Sequence, residues 1–591
     1  MTKVSKYINF IFLGILLACF ASCSDDEGLG SFTPKIPEFS FDKTMVNATK
    51  DGGDYSVNVI SNLPWRAKSN ADWISFKSEN GLGDGKFEFT VTRNRTIQER
   101  SADIVVWVTD EELKTIKVIQ APSEASDLVV HYYVKADGDA ANDGLSWSTP
   151  VTLEKAMDEM VDGDFLHIAA GTYKPTRILS GGSTSNAGDI TFEIHSNVTL
   201  IGGYPADAAE GAVSDPSVNK TILSGLHNSG QAFHTVAVSA PIATGKKVLL
   251  KGLLIKNGKA AASGTGSISI NGVPFYRFYG GGLVSGKSLV EVVDCEVSDN
   301  ISGLHAGGVY IAGGGTVKFE NTVIKNNVAT TNSSNCGGVF IDGSTVFFNN
   351  CSVVSNSCTG VGAGIYAFNS STPTYTYIYN TTVAYNNNDA NAANQTRRGG
   401  GFYGRENSVT VIVNSTFYGN EGGHGAGISI YGASGSAAKL DIINSTVSAN
   451  KVYNNGGGIE VANAFATVNS YNTILSGNTA GGTGNDLFGT AKFYNSINAN
   501  KIYNVDGNDV SGLTFDHTTM LGALSNNGGK TETCALLGGS ANPATTQGMT
   551  SGALEALGTN YSPAIGADVI TKDQTGKSRI GKTVIGAVVP N

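Results

Sequence analysis

The chain has 591 residues and a formal net charge of −10. It is too long for one compact core, and its acidic balance gives no electrostatic case for nucleic acid. Only 15% of residues are charged, 75 are glycine and 40% are hydrophobic, which fits a turn-dense β architecture and excludes a disordered chain.

Lys3 and Lys6 precede an apolar run from Ile8 to Ala18, too short to span a bilayer. Residues 1–22 therefore read as a secretory signal. Phe20-Ala21-Ser22-Cys23 resembles a bacterial lipobox, and Leu17-Ala18-Cys19 is a weaker competitor. The resemblance implies that Cys23 is lipidated and becomes the first mature residue. Ser24-Asp25-Asp26-Glu27 is similar to the surface-export signal of lipoproteins in one phylum of Gram-negative gut bacteria. Together they imply an outer-membrane lipoprotein at the cell surface, with the membrane a partner through the lipid; the alternative is a plain secreted protein. Residues 23–37, with Gly28, Gly30, Pro34 and Pro37, read as a flexible tether.

Residues 38–122 form a separate β module. Alternation runs through Tyr55-Ser56-Val57-Asn58-Val59, Phe87-Glu88-Phe89-Thr90-Val91, Asp103 to Val108 and Thr115 to Ile119, with turns at Asp51-Gly52-Gly53 and Gly81-Leu82-Gly83. Pro64-Trp65, Asp72-Trp73-Ile74, Gly81, Arg93-Asn94, Arg100-Ser101-Ala102 and Val118-Ile119-Gln120 resemble the BACON domain. That resemblance implies an immunoglobulin-like sandwich, a carbohydrate binder in some members and a spacer in others. Trp65 and Trp73 read as core residues, with a sugar platform as the alternative.

Residues 128–510 read as one long repeat structure. His131-Tyr132-Tyr133-Val134 is a strand. Leu153, Ala156, Met157 and Met160 share one face of a short helix beginning near Thr152, which would cap the open end. From Gly280 to Asn500 a glycine cluster leads repeatedly into a branched or aromatic residue, as in Gly307-Gly308-Val309, Gly337-Gly338-Val339 and Gly425-Ala426-Gly427-Ile428. Most clusters are followed by an apolar run and then an Asn-Thr or Asn-Ser pair; the asparagines are Asn321, Asn350, Asn380, Asn414, Asn444, Asn472 and Asn495, with Asp294 opening the series. The interval of roughly 23 to 34 residues is that of a solenoid. Apolar residues alternate around each asparagine, as in Val317, Phe319 and Ile324 or Leu440, Ile442 and Val447, so the elements are strands rather than helices. Coils stacked at about 4.8 Å bury such strands, and the parallel crossover favours the right hand. The first asparagine of each coil is expected to build an amide ladder. The second (Asn327, Asn356, Asn386, Asn420, Asn450, Asn478) is expected to adopt a left-handed turn conformation. Asn-Thr-Thr and Asn-Ser-Thr triplets at 380, 414 and 444 match the glycosylation sequon, but their spacing makes them turns first.

The order Gly163 to Ile168, Gly171-Thr172-Tyr173 and Val198 to Tyr204 resembles the first coils of right-handed β-helix proteins of the pectin-lyase-like superfamily. Residues 511–591, with Asn527-Gly528-Gly529, Ser562-Pro563-Ala564-Ile565, Arg579 and Ile585-Gly586-Ala587, resemble the tail that closes many bacterial surface β-helix proteins. The expected fold is all-β: an immunoglobulin-like sandwich, then a right-handed single-stranded parallel β-helix with an N-terminal helical cap. Beyond Cys19 and Cys23 five cysteines remain, none at zinc spacing. Small buried thiols are expected, with Cys336 and Cys358 able to pair if register allows.

Chemistry on this scaffold would come from clustered acids. The best cluster is Glu291, Asp294, Glu296 and Asp299, but Glu291 stacks over Lys318 and no neighbouring coil repeats the acids. No catalytic residue, metal or cofactor is assigned. An outward aromatic column stands out instead: Tyr310, Phe340, Tyr366 and Tyr403, with Arg405 beside it. It reads equally as a ring ladder stiffening the sheet or as a platform for sugar faces. The expected function is a lipid-anchored surface protein that binds extracellular polysaccharide or host glycan, or acts as an adhesin, without catalysis. The alternatives are a polysaccharide lyase or glycoside hydrolase on the same scaffold, and a structural stalk.

Overall fold

The computed structural model describes residues 36–590, apart from 263, 332 and 390–395. The signal segment, Cys23 and the tether up to residue 35 lie outside the described residues. The chain divides into two compact units between Leu128 and Val129. The first is a sandwich of a four-stranded and a five-stranded sheet. Val57, Val59, Phe87, Phe89, Ile104, Val106, Ile116 and Val118 fill its core at every second strand position. Trp65 is 3% exposed and its Nε1 donates to the Gly83 carbonyl at 2.9 Å. A Cβ on Gly81 would meet the Trp65 ring at 2.4 Å, so this approach requires glycine. Trp73 is half-buried beneath the Arg100 guanidinium, 4.4 Å from the ring centre. Both tryptophans have structural work.

The second unit is a parallel β-solenoid with three long faces. Face 1 is a 12-stranded sheet from His131–Val134 to Lys492–Tyr494, face 2 a 12-stranded sheet from Gly171–Tyr173 to Lys501–Ile502, and face 3 a 10-stranded sheet from Phe192–Ile194 to Leu487–Phe488. Successive strands pair in parallel until Lys501–Ile502 turns back antiparallel on Ile497–Asn498. Every second side chain enters the lumen: Val317, Phe319, Ile324, Val346, Phe348, Val353, Ile412 and Ile442 form one continuous buried core. The helix Leu153–Glu159 is N-capped by Thr152, which accepts from the Lys155 amide at 3.3 Å. Its Leu153, Ala156 and Met157 join that core near the first strands.

The two asparagine columns exchange the roles expected of them. The first column, from Asp294 to Asn495, is the left-handed one, with φ between 45° and 53°. These residues turn an outer corner where a short polar side chain tolerates that conformation. The second column builds the ladder. From Asn300 through Asn327, Asn356, Asn386, Asn420 and Asn450 to Asn478, each amide nitrogen donates to the next asparagine Oδ1, and Asp486 ends the series. Each backbone N–H donates to the same oxygen, at 2.9–3.1 Å. These amides point into a dry interior, where only a self-pairing group satisfies its own donors. A parallel hydroxyl column does likewise: Ser415, Ser445, Thr473 and Ser496 each accept an amide of the preceding coil at 3.1–3.2 Å. The five described cysteines are buried free thiols.

The C-terminal segment runs back along the outside of the coils. Asn414, Asn444 and Asn472 donate their side-chain amides to the carbonyls of Val569, Ile570 and Val584. Leu554, Ile565 and Ile570 cover Tyr377, Val411 and Ile443 of face 1. Arg579 is fully buried and donates to the carbonyls of Lys572, Val584 and Gly586.

Candidate functional site

The outward column on face 3 is in register from coil to coil: Tyr310, Phe340, Tyr366, Tyr403, Ser429, Glu460. The rings stack, with centroids 5.5 Å, 4.8 Å and 5.5 Å apart. They lie outside the lumen but are only 1%, 5%, 2% and 4% exposed. A sugar platform needs open ring faces, and these face one another, so the platform reading of Tyr310, Phe340, Tyr366 and Tyr403 is corrected. A second layer buries them. Tyr276, Tyr279, Phe368 and Tyr431 pack over the column, as does a hairpin formed by Ser267–Ile270 and Val273–Tyr276. That hairpin was legible: Asn271-Gly272 between two alternating runs is a two-residue hairpin turn, and both residues have positive φ.

The phenol hydroxyls of the buried column emerge where polar groups need holding. Tyr310 donates to Oδ2 of Asp342 at 2.8 Å. Asn369 donates to Oδ1 of Asp342 at 2.6 Å, and its own oxygen accepts the amides of Ser371 and Thr372. Arg405 donates from Nη1 to the Tyr366 hydroxyl at 3.1 Å, pairs with Glu406 at 2.9 Å and lies 4.2 Å over the Phe368 ring. These groups line two adjoining recesses. One, of about 340 Å³, lies among Val273, Tyr276, Lys287, Tyr310 and Asp342. The other, of about 330 Å³, lies among Tyr279, His305, Phe340, Tyr366, Phe368 and Arg405. Tyr276, Asp342 and Asn369 belong to both, so the recesses adjoin at these three residues, and the pair is termed the trough. Burial pushes the Tyr279 and Tyr366 phenols up to about 12 and the His305 imidazole down to about 4.

Further along, Glu460 is 1% exposed. His424 Nδ1 lies 3.3 Å from it, Arg398 Nε lies 3.1 Å from it, and Ser429 donates to it at 2.6 Å. Burial opposes its ionisation, but the His424 contact, the Arg398 charge and the Ser429 hydrogen bond outweigh that and hold its pKa below the usual value. Ser429 donates to the carboxylate and not to His424, so this is an ion cluster rather than a nucleophile relay.

The acids singled out in the sequence are structurally committed. Glu291 meets Lys247 and, at 3.8 Å, Lys318; Glu296 meets Lys325 at 2.9 Å; Asp299 meets Lys256 at 3.0 Å; Asp294 accepts from Asn321. A recess of about 310 Å³ near the first coils holds Glu154, Asp158 and Glu193, yet Asp158 pairs with Arg177 and Glu193 accepts from Ser180 and Ser239. Among the described residues, no group of three or more His, Cys, Asp or Glu is placed to hold a metal ion.

Two family models match the chain. Residues 63–121 match BACON, described as "Putative binding domain, N-terminal". Residues 240–383 match a model described as "Right handed beta helix region". The chain thus carries a BACON domain followed by a right-handed parallel β-helix, an all-β protein. No curated protein matches it. Similar solved structures include pectate lyase Pel9A, 16% identical over 61% of this chain and 78% of that one, with a TM-score of 0.39. A pectin methylesterase from Aspergillus niger is 16% identical over 66% of this chain and 92% of that one, with a TM-score of 0.25. A protein from Bacteroides thetaiotaomicron is 18% identical over 17% of this chain and 96% of that one, with a TM-score of 0.12. Likeness at this level is distant and assigns no activity.

Proposed function

We propose that this protein holds an extended polysaccharide in the trough on face 3 and does no chemistry on it. The observation that supports this is the trough itself: two recesses that adjoin at Tyr276, Asp342 and Asn369, walled by half-buried rings and by polar groups held in hydrogen bonds. Ring edges beside fixed hydrogen-bonding groups suit a hydrated, partly apolar sugar chain. Hydrolysis needs two carboxyls roughly 5 to 10 Å apart. Among the described residues Asp342 is the only carboxylate lining either recess, and it already accepts from Tyr310 and Asn369. A lyase needs a base poised near the working pH. Burial moves the His305 imidazole down to about 4 and the Tyr279 phenol up to about 12, and the Arg405 guanidinium is engaged by Glu406 and Tyr366, which disfavours these three as the base. The BACON match, a binding-domain model, agrees with a binding role.

The reading includes display at the cell surface by lipid on Cys23, which rests on the signal segment, the cysteine and Ser24-Asp25-Asp26-Glu27 occurring together. Cys23→Ala is expected to release the protein from the outer membrane; unchanged retention with no acyl mass on the mature N-terminus sinks the anchor. The trough is tested on a glycan array read with mass spectrometry of the ligands. Tyr279→Ala and Phe368→Ala are expected to abolish glycan retention; because both rings also cover the column, each should lower the melting temperature, and retention is read at a temperature where circular dichroism shows the variant folded. Cleaved products would hand the function to the lyase or hydrolase alternative. Failure to retain any glycan would leave a stalk.

A further inference from the structure

We infer that the trough selects neutral, hydroxyl-rich polysaccharide over uronate-containing chains, and that Asp342 is the residue that sets this selectivity. The inference rests on the trough being the glycan site. Asp342 stands at the seam of the two recesses, so a chain crossing from one to the other passes its carboxylate. The group is pre-set from two sides. Tyr310 is buried in the ring stack, and Asn369 has its oxygen fixed by the Ser371 and Thr372 amides. Each holds one carboxylate oxygen. An ionised carboxylate is acceptor-only, with about four lone-pair sites. Two are used, and those remaining call for ligand donors. Sugar hydroxyls supply donors; a uronate carboxylate supplies none and repels.

The charges around the seam agree. Arg405 is matched by Glu406 at 2.9 Å, and His305 is held neutral by burial. Lys287 lines the first recess from an exposed position. Among the described residues no cationic side chain lies within ion-pair distance of Asp342, whose carboxylate is held only by the neutral Tyr310 and Asn369 donors. A site made for acidic sugars would place a paired-off anion and a free guanidinium there; this one has the reverse.

The test is affinity electrophoresis of the whole protein through gels holding galactomannan, mixed-linkage β-glucan, polygalacturonate or alginate. At least one neutral polymer is expected to retard the protein about tenfold more strongly than either uronate. Asp342→Asn keeps an acceptor for Tyr310, and it is expected to lose about tenfold in neutral-polymer retention, the scale of one charge-assisted hydrogen bond, and to gain on uronates. Lys318→Ala, on face 1 and away from the trough, should change neither. Equal or stronger retention by uronates, or neutral retention untouched by Asp342→Asn, overturns the inference. Tyr279→Ala separates the two levels of failure, because it should lose every polymer whatever its charge. If Tyr279→Ala abolishes retention while Asp342→Asn does not change it, the trough stands and the selectivity falls. If no polymer is retained by the wild-type protein, both fall together.

Discussion

The lumen of the coils and the outer flank of face 3 are equally buried and are built from different chemistry. The lumen is mainly hydrocarbon, as at Val317, Phe319, Val346, Phe348, Ile412 and Ile442; its asparagine ladder and serine/threonine column satisfy their own polar groups, and the Cys295 and Cys351 thiols and the Thr376 and Thr410 hydroxyls are set among the apolar side chains. The flank buries phenols, a carboxylate and imidazoles, and each is tied to a neighbour: Tyr310 to Asp342, Tyr366 to Arg405, Glu460 to Arg398 and His424. The difference shows that strand parity decides which side of a sheet a residue occupies, while a second layer decides whether water reaches it. A polar group buried on the outside can still hold another at the surface, which is what the ring stack does for Asp342 and Arg405.

The two regions respond differently to a single change. Ile442→Asp puts an unpaired carboxylate in the lumen, and a loss on the order of 4 kcal/mol is expected in the denaturation of the second unit. A stable, fully folded variant would show that Ile442 does not face inward. Phe340→Ala removes the centre of the flank stack, with Tyr310 on one side and Tyr366 on the other. A loss of about 3 kcal/mol is expected from the transfer and cavity terms. A sugar platform would show the opposite, with stability kept and binding lost.

The solenoid could be read in the sequence because its signal is local and periodic. Val353 and Ile442, placed inward by counting from the asparagines, are both fully buried. The site was half legible. The column of Tyr310, Phe340, Tyr366 and Tyr403 and its register could be counted, and Asn271-Gly272 marks a hairpin, but no local pattern says that this hairpin, Tyr279 and Phe368 fold over the column. Asp342 gave no signal at all. It is one turn residue among many, and its setting depends on Tyr310 one coil away and on Asn369.

Acid should distinguish flank from lumen. His234 is fully buried beside face 3, its Nδ1 2.9 Å from the Gly280 carbonyl, with the Arg277–Asp189 pair nearby. Burial lowers its pKa from 6.5 to about 4. The unfolded chain therefore binds this proton first as pH falls. The stabilisation is complete above about 6.5 and is lost on the way down to about 4, amounting to about 3 kcal/mol at the lower limit. His305 and His167, both also lowered to about 4, share this window. His234→Gln should remove part of the slope in melting temperature between pH 7 and pH 5; an unchanged slope would mean that His234 takes no part in the acid sensitivity.

The smallest effect separates the two asparagine columns, and it tests which one carries the ladder. Asn420 Oδ1 accepts both the backbone and side-chain N–H of Asn386, and its own amide reaches Val383 and Asn450. Asn420→Ala strands two buried donors and a carbonyl, for an expected loss of about 2 kcal/mol. Asn321 sits at φ 49° on the corner and makes one side-chain bond, to Asp294. Glycine reaches that conformation without strain, so Asn321→Gly should stay within about 0.5 kcal/mol of the wild type, whereas Asn321→Ala should lose about 1 kcal/mol through the backbone alone. The urea midpoints should therefore fall in the order Asn321→Gly, Asn321→Ala, Asn420→Ala. If the corner column carried the ladder, Asn321→Gly would itself lose more than Asn420→Ala, because glycine keeps the turn and loses only the amide.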